Sequence, residues 1–301
     1  MMYDVRHVTT YRYSEAVTLC QNIAHLTPRN SQRQTVYKRD LWVRPDPVIL
    51  DAHTDFFGNT AHFFSVQEPH RELTVTATHR VDLRNAVPPP LDATMPWDDA
   101  ADYLRKTKSP EALDAYQYVF DTHLTQRRPQ WLEYASPSFV AGRPIGEACR
   151  NLMGRIYSEF RYDPQATTVS TPLIDMFAAK RGVCQDFAHF MLASLRSLGL
   201  AARYVSGYLE TAPPPGKPRL VGADASHAWL QVYFPEHGWY DFDPTNDTIA
   251  CDRLLLLAWG RDYDDVSPLK GVILGGGTHT VNVAVDVVPA TDSGGEVGFD
   301  A

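Results

Sequence analysis

Residues 181–199 read RGVCQDFAHFMLASLRSLG and place a cysteine at the start of an amphipathic helix. The apolar residues of this helix recur at spacings of three to four: Phe187, Met191, Leu195 and Leu198. Gly199 suits the position just beyond the C-terminus of a helix. Unpaired backbone N–H groups and the positive end of the helix dipole favour a thiolate at the first helical residue. The segment therefore predicts a helix over residues 184–198 with Cys184 as a nucleophile.

Two strand-like segments farther along the chain supply the other groups that thiol chemistry requires. HAWLQVYF begins with His227, and GWYDFDPT contains Asp241 and Asp243. If the two strands pair antiparallel, an aspartate on the second accepts the imidazole N–H of His227 and fixes its tautomer. Asp241 and Asp243 are two residues apart and share a strand face, so periodicity does not choose between them. We select Asp243 because Pro244 marks the end of the strand, where active-site groups are usually presented.

The order of the elements indicates the fold class and the domains. Helical patterns at about 98–133, 144–160 and 184–198 precede a series of strands, which favours an α+β domain over a doubly wound parallel sheet. Short alternating segments up to residue 84 predict an all-β, sandwich-like domain. Four prolines within residues 85–97 are typical of a connector. We therefore predict a β domain at 1–84, a connector at 85–97, a catalytic domain with a C-terminal strand at 98–290 and a flexible tail at 291–301.

Several motifs give the chain a resemblance to a known superfamily. GVCQDFAH, SHAW and GWYDFDPT stand in the order and spacing seen in transglutaminase-like domains. YRY at 11–13, LTPR at 26–29, DFFGN at 55–59 and GRDYDDVSP at 260–268 resemble the bacterial two-domain branch. The resemblance implies a papain-like core with Cys184 as nucleophile, His227 as general base and acid, and Asp243 as orienting carboxylate.

One expected group is not identified by these motifs. Transglutaminases usually complete the oxyanion site with an aromatic donor upstream of the cysteine, and no tryptophan stands between Trp131 and Cys184. Tyr162 is the candidate oxyanion donor, with packing beside the helix at 144–160 as its alternative role. No calcium-loop pattern occurs in the sequence, so calcium activation is not predicted.

The triad chemistry leaves the reaction open. Thiolate attack on an amide or ester gives a thioester acyl-enzyme, which water hydrolyses or an amine intercepts. The bacterial relatives that the chain resembles are often described as cysteine proteases, and we expect a cysteine peptidase or amidase slightly in preference to a glutamine-crosslinking acyltransferase. A non-catalytic binding module with a vestigial triad is the third interpretation.

Composition and charge limit the classes of partner that the chain can bind. With 44% hydrophobic and 21% charged residues, the 301-residue chain should fold. A net charge of −8 argues against nucleic acid as a partner. The N-terminal residues lack a signal-peptide pattern, and no apolar run near the termini approaches the length of a membrane span, so we expect a cytoplasmic protein without a membrane partner. A peptide or protein is the expected substrate, and the sequence does not set the oligomeric state.

Metal and disulfide chemistry is not predicted. The four cysteines lie far apart without a CxxC pair: Cys20, Cys149, Cys184 and Cys251. Cys149 falls on the apolar face of the helix at 144–160 and is predicted to be a core residue. The rival site would draw on Cys184, Asp186, His189 and His227, but Cys184 and His189 are five apart, roughly 140° around the helix. We therefore expect no metal and no cofactor, and His189 on the helix surface or between domains.

Overall fold

A computed structural model describes residues 1–84, 87–88, 90–211, 225–249 and 252–290, without the side chain at position 225. The strands are β1 (Met2–Ala24), β2 (Gln34–Arg44), β3 (Ile49–Thr54), β4 (Thr60–Val66), β5 (His70–Leu83), β6 (Arg161–Tyr162), β7 (Arg181–Gly182), β8 (Ala202–Leu209), β9 (Ala225–Phe234), β10 (Gly238–Asp243), β11 (Thr248–Ile249), β12 (Leu254–Gly260), β13 (Leu269–Gly275) and β14 (His279–Pro289). The helices are α1 (Trp97–Lys106), α2 (Pro110–Tyr116), α3 (Pro129–Ala135), α4 (Ile145–Glu159), α5 (Leu173–Ala179), α6 (Cys184–Ser197) and α7 (Tyr263–Val266). The predicted tail at 291–301, connector residues 85, 86 and 89, and Cys251 lie outside this description.

The long strand β1 organises the N-terminal sheet. Its first half pairs antiparallel with β5 on one side and β14 on the other, and its second half pairs with β4 and β13. The pairing with β5 is irregular between Arg12 and Val17, where β1 passes from one half to the other. Buried side chains from both halves, including Val17, Phe64 and Val75, form one core. The predicted N-terminal β domain is therefore a single curled sheet.

The C-terminal strands pair within this sheet and not within the sheet of the second domain, although Val285 and Val287 pack into the core around α6. The sequence predicts that residues 98–290 form the catalytic domain with its own C-terminal strand. Instead, β14 pairs with β1 from Tyr3↔Pro289 to Tyr13↔His279, and β13 pairs with the second half of β1. An alternating pattern identifies a strand but not the sheet that it joins, because the pairing partner is distant in the sequence.

The second domain builds its core between helices and an antiparallel sheet of order β11-β10-β9-β8-β12. Helix α6 packs against β8 and β9 on one side and against α3 on another. Cys149 is fully buried in this core, as predicted, and burial raises the pKa of its thiol. Within the described part of the chain, none of the helices combines the length and apolar character needed to cross a lipid bilayer.

Two amide side chains of the N-terminal domain cover β12, which is an edge strand of the second sheet. Gln34 donates to the Leu256 carbonyl (2.7 Å) and accepts from the Leu256 N–H (2.9 Å). Asn59 repeats the arrangement on Trp259, donating at 2.8 Å and accepting at 3.0 Å. Each amide satisfies backbone groups that a neighbouring strand would otherwise satisfy. The two domains are therefore joined by specific hydrogen bonds, which are buried at Gln34 and partly buried at Asn59.

Candidate active site

The thiol of Cys184 lies at the first residue of α6. Val183 before it is extended, and the helix runs to Ser197, with Gly199 beyond it at a φ of 79°. Cys184 is partly exposed, whereas Cys20 and Cys149 are buried. Among the cysteines in the described ranges, the thiol at the helix start is thus the accessible one.

A buried carboxylate holds the backbone that leads into this helix. Oδ2 of Asp186 accepts the Val183 N–H (2.8 Å) and the Thr167 hydroxyl (2.6 Å). A Cβ at Gly182 would lie 2.6 Å from that oxygen and 2.9 Å from Met176 Cγ, so this position requires glycine. Burial raises the pKa of Asp186, and the two hydrogen bonds oppose the rise. This role of Asp186 was not predicted, although an acidic residue at the third helical position is a known capping signal.

The structure brings His227 and Asp243 together where β9 begins and β10 ends. Nε2 of His227 lies 2.8 Å from Oδ2 of Asp243, and both side chains are buried. Asp243 also accepts the Thr245 N–H (3.0 Å) and the amide N–H of Asn246 (2.7 Å). Thr245 donates to Oδ1, and Asn246 donates to Oδ2, the oxygen that also faces His227. Asn246 lies 3.5 Å from His227 Nε2 as well, and no sequence signal had identified it.

The environment of His227 favours the imidazolium form. Burial lowers the pKa of His227, but hydrogen bonds to Asp243 and Cys184, together with their negative charges, outweigh burial and raise it to about 10. Because Nε2 faces Asp243, Nδ1 is the atom left for the thiol. This pattern suits a thiolate and imidazolium pair.

Asp241, the other candidate aspartate, has different hydrogen-bond partners from Asp243. Asp241 lies on the same strand face but accepts from Trp229 Nε1 (2.7 Å) and Gln231 Nε2 (2.8 Å). It also forms an ion pair with Arg33 of the N-terminal domain. The Trp229 ring stacks against His227, with centroids 6.0 Å apart and planes 22° from parallel. Asp241 thus orients a neighbour of the histidine and does not touch the histidine ring through a hydrogen bond in the described contacts.

Tyr162 lies beside the cysteine loop. Strands β6 and β7 pair in parallel, which sets Tyr162 opposite Gly182, two residues before Cys184. The side chain is 52% exposed and lies outside the hydrophobic core around α4. Burial and the nearby charge of Cys184 raise the pKa of Tyr162, so its hydroxyl keeps the proton that an oxyanion donor needs.

The expectation that His189 lies on the helix surface is wrong, and its burial does not test the alternative position between the domains. His189 is 4% exposed, and the whole run Asp186–Arg196 of α6 is buried. An amphipathic pattern implies one exposed helix face, but here the neighbouring helices and sheet enclose α6. In the described portion of the chain, no group of three or more His, Cys, Asp or Glu side chains could hold a metal ion.

Comparisons with family models match both domains. Residues 3–82 match the bacterial transglutaminase-like N-terminal region, and residues 135–244 match the transglutaminase-like superfamily. Proteins from Mycobacterium tuberculosis and Mycobacterium bovis, both described as uncharacterized, are 43% identical over 296 residues, covering 95% of this chain and 92% of each relative.

Two further matches carry a described activity. A protein-glutamine gamma-glutamyltransferase from Pseudomonas aeruginosa is 33% identical over 111 residues, which cover 34% of this chain and 16% of that protein. The crystal structure of a provisionally assigned cysteine protease from Cytophaga hutchinsonii superposes with a TM-score of 0.76 at 20% identity, covering 97% of this chain and 92% of the other. The predicted α+β fold with a papain-like core is confirmed.

Proposed function

The chain belongs to the transglutaminase-like superfamily, and from that premise we propose that it is a cysteine-dependent acyl enzyme acting on peptide or amide substrates. In this proposal Cys184 is the nucleophile, His227 the general acid and base, and Asp243 the orienting carboxylate. The observation that carries it is the continuous set of hydrogen bonds from Asp243 through His227 to the partly exposed thiol.

The proposed first step forms a thioester. The Cys184 thiolate attacks the carbonyl carbon, a C–S bond forms, and the carbonyl oxygen becomes an oxyanion. The N–H of Cys184 and the hydroxyl of Tyr162 are the proposed donors to that oxygen. His227 then donates its Nδ1 proton to the leaving nitrogen, and the C–N bond breaks to release an amine.

The second step returns the enzyme to its starting state. His227, now neutral, accepts a proton from the incoming nucleophile, which attacks the thioester carbon. The C–S bond breaks, the thiolate is restored, and imidazolium is formed again. With water the product is a carboxylic acid, and with a primary amine it is a new amide.

We favour hydrolysis over amine transfer. The related fold of the Cytophaga protein, a provisionally assigned cysteine protease, supports this preference, as does the lack of a calcium-loop pattern in the sequence. Amine transfer is the second candidate because the Pseudomonas relative is a protein-glutamine gamma-glutamyltransferase.

The first test measures iodoacetamide alkylation of each cysteine by mass spectrometry from pH 4 to 9. We expect Cys184 alone to react rapidly at low pH, and His227→Ala to abolish this advantage, because the thiolate then lacks its cationic partner. Cys20 and Cys149 serve as buried controls. If Cys184 reacts no faster than the other cysteines, the acyl-enzyme proposal fails and a binding module takes its place.

The second test separates the two fates of the acyl-enzyme. A denatured protein substrate is incubated in ¹⁸O-water with and without a dansylated primary amine, with Cys184→Ser as the inactive control. New peptide termini or glutamates carrying ¹⁸O indicate hydrolysis, and dansyl-labelled side chains indicate transfer. Predominant dansylation at millimolar amine would contradict the preference for hydrolysis.

A further inference from the structure

A pocket of about 220 Å³ opens beside the first turns of α6, outside the three residues of the proposed triad. Its α6 wall consists of Gln185, Asp186 and His189, and Gln185 directly follows Cys184. Arg128 and the loop at 169–174 form other walls. We call this cavity the helix-side pocket. Gln185 thus connects the pocket to the residue that carries the thiol.

His189 provides the pocket with a fixed hydrogen-bond donor. Its Nε2 lies 3.2 Å from the backbone N–H of Tyr263, which can only donate, so Nε2 is the acceptor and the ring proton is on Nδ1. Burial, with the charges of Arg196 and His123, lowers the pKa of His189 to about 3, so the ring stays neutral near pH 7. Within the described residues, Nδ1 has no hydrogen-bond partner, and it keeps some accessible surface, so a ligand in the pocket can accept from it.

The charges around the pocket disfavour an ionised ligand. Asp186 lies in the wall and repels a carboxylate, and its two hydrogen bonds in the described contacts both end on Oδ2, which leaves Oδ1 as an acceptor. Arg128 lies in the wall as well and repels a cation. A carboxamide meets both requirements, since its carbonyl accepts from His189 and its NH₂ donates to Asp186.

We infer that the helix-side pocket binds the side chain next to the reacting carbonyl of the acyl donor, and that it selects an uncharged carboxamide over carboxylate, ammonium and alkyl groups. This inference rests on the proposed function of Cys184. Trp131, Leu173 and Ile174 in the wall offer apolar surface to the methylene groups that carry the amide. The triad performs the chemistry in this arrangement, and the pocket sets the specificity.

The test uses electrophiles that share one reactive group. N-acetyl chloromethyl ketones of glutamine, glutamate, lysine and norleucine carry the four side-chain types on the carbon next to the reacting carbonyl, and chloroacetamide has no side chain. We expect Cys184 to react with the glutamine probe at least about tenfold faster than with the other three, since one hydrogen bond to a charged partner is worth this factor. Mass spectrometry of the full-length protein gives the rate at each cysteine.

Two variants locate the preference. Ser170 is exposed and lines the pocket, so Ser170→Trp fills the cavity, and Ser170→Ala is the matched control. We expect Ser170→Trp to abolish the glutamine preference, Ser170→Ala to retain it, and chloroacetamide to react equally with both. Arg128→Ala should raise the rate of the lysine probe and leave chloroacetamide unchanged, which provides a second test through another exposed wall residue.

The outcomes separate the pocket from the triad. If chloroacetamide modifies Cys184 rapidly but the glutamine preference is missing, or persists in Ser170→Trp, the pocket assignment is overturned and the proposed function stands. If chloroacetamide reacts no faster at Cys184 than at Cys20, the proposed function fails and the specificity proposal falls with it.

Discussion

Replacing Asp243 by asparagine tests the electrostatic coupling at the centre of the site. In the structure, Oδ2 of Asp243 accepts from His227 and Asn246, and Oδ1 accepts from Thr245. An asparagine has one accepting oxygen, so either the Thr245 N–H loses its acceptor or an NH₂ group faces His227. In the second case Nε2 of His227 is unprotonated and accepts from the NH₂ group, and the ring proton is on Nδ1. The variant keeps the size of the side chain but removes the charge.

The size of the effect follows from the hydrogen bond between His227 and Asp243. The pKa of His227 rises from 6.5 to about 10 although burial lowers it, because the hydrogen bonds to Asp243 and Cys184 and their charges outweigh burial. A hydrogen bond to a charged group contributes about 1.5–3 kcal/mol, which corresponds to roughly one to two units of pKa. We therefore expect the pKa of His227 to fall by about one to two units in Asp243→Asn.

The sign of the pH dependence follows from the same shift. Because the folded-state pKa of His227 is raised, its stabilisation of the fold is fully present below pH 6.5 and is lost as the pH rises through about 10. In Asp243→Asn this contribution should be smaller and should disappear at lower pH. Urea unfolding at pH 6 and pH 10, compared between the two proteins, measures the difference.

Histidine ¹⁵N NMR follows the titration of His227 directly, and iodoacetamide alkylation of Cys184 at pH 6 reports the thiolate population. We expect this alkylation rate to be lower in Asp243→Asn, because a less basic His227 takes the thiol proton less readily. A titration midpoint unchanged within half a pH unit, with an alkylation rate within twofold of the original, would refute the coupling. Asp241→Asn is the control, because Asp241 accepts no hydrogen bond from His227 in the described contacts.

Three further changes test other parts of the site and the domain junction. Tyr162→Phe should slow acyl transfer about 100- to 1,000-fold and leave iodoacetamide alkylation unchanged, because alkylation forms no oxyanion; an equal fall in both rates would argue for a structural role. Gly182→Ala places a methyl group 2.6 Å from Asp186 Oδ2 and should slow alkylation of Cys184 several-fold; an unchanged rate would contradict the close packing. Gln34→Leu leaves the N–H and the carbonyl of Leu256 without their amide partner and should lower the free energy of unfolding by about 2–4 kcal/mol in urea titrations. A loss below about 1 kcal/mol would mean that water replaces the amide.

The N-terminal domain shares its sheet with strands from the C-terminal part of the chain. Strand β1 pairs with β13 and β14 from the C-terminal part of the chain, so removing residues 1–84 also removes the partner of both strands. Arg33 forms an ion pair with Asp241, and Asp241 accepts from the indole of Trp229, which stacks on His227. Point substitutions at this junction therefore probe the role of the domain more cleanly than its deletion.

The sequence alone determined the local features that depend on neighbouring residues. The apolar spacing of residues 187–198 predicted α6, and the position of Cys184 at its start follows from that spacing. The choice of Asp243 over Asp241 relied on Pro244 at the strand end, a local signal, and the hydrogen bond of Asp243 to His227 agrees with it. Burial of Cys149 followed from its place on the apolar face of α4. Periodicity and turn residues act over a few residues, which is why a single sequence reveals them.

Only the tertiary structure decided which distant groups meet. The assignment of β13 and β14 to the N-terminal sheet depends on pairing across more than two hundred residues, which alternation does not specify. His189 became a buried pocket residue because other elements cover the side of α6 that the pattern left open. Asp186 and Asn246 act through backbone and carboxylate contacts that exist only after the loops close. The groups that could react were visible in the sequence, whereas the groups that orient them and shape the neighbouring pocket were set by long-range packing.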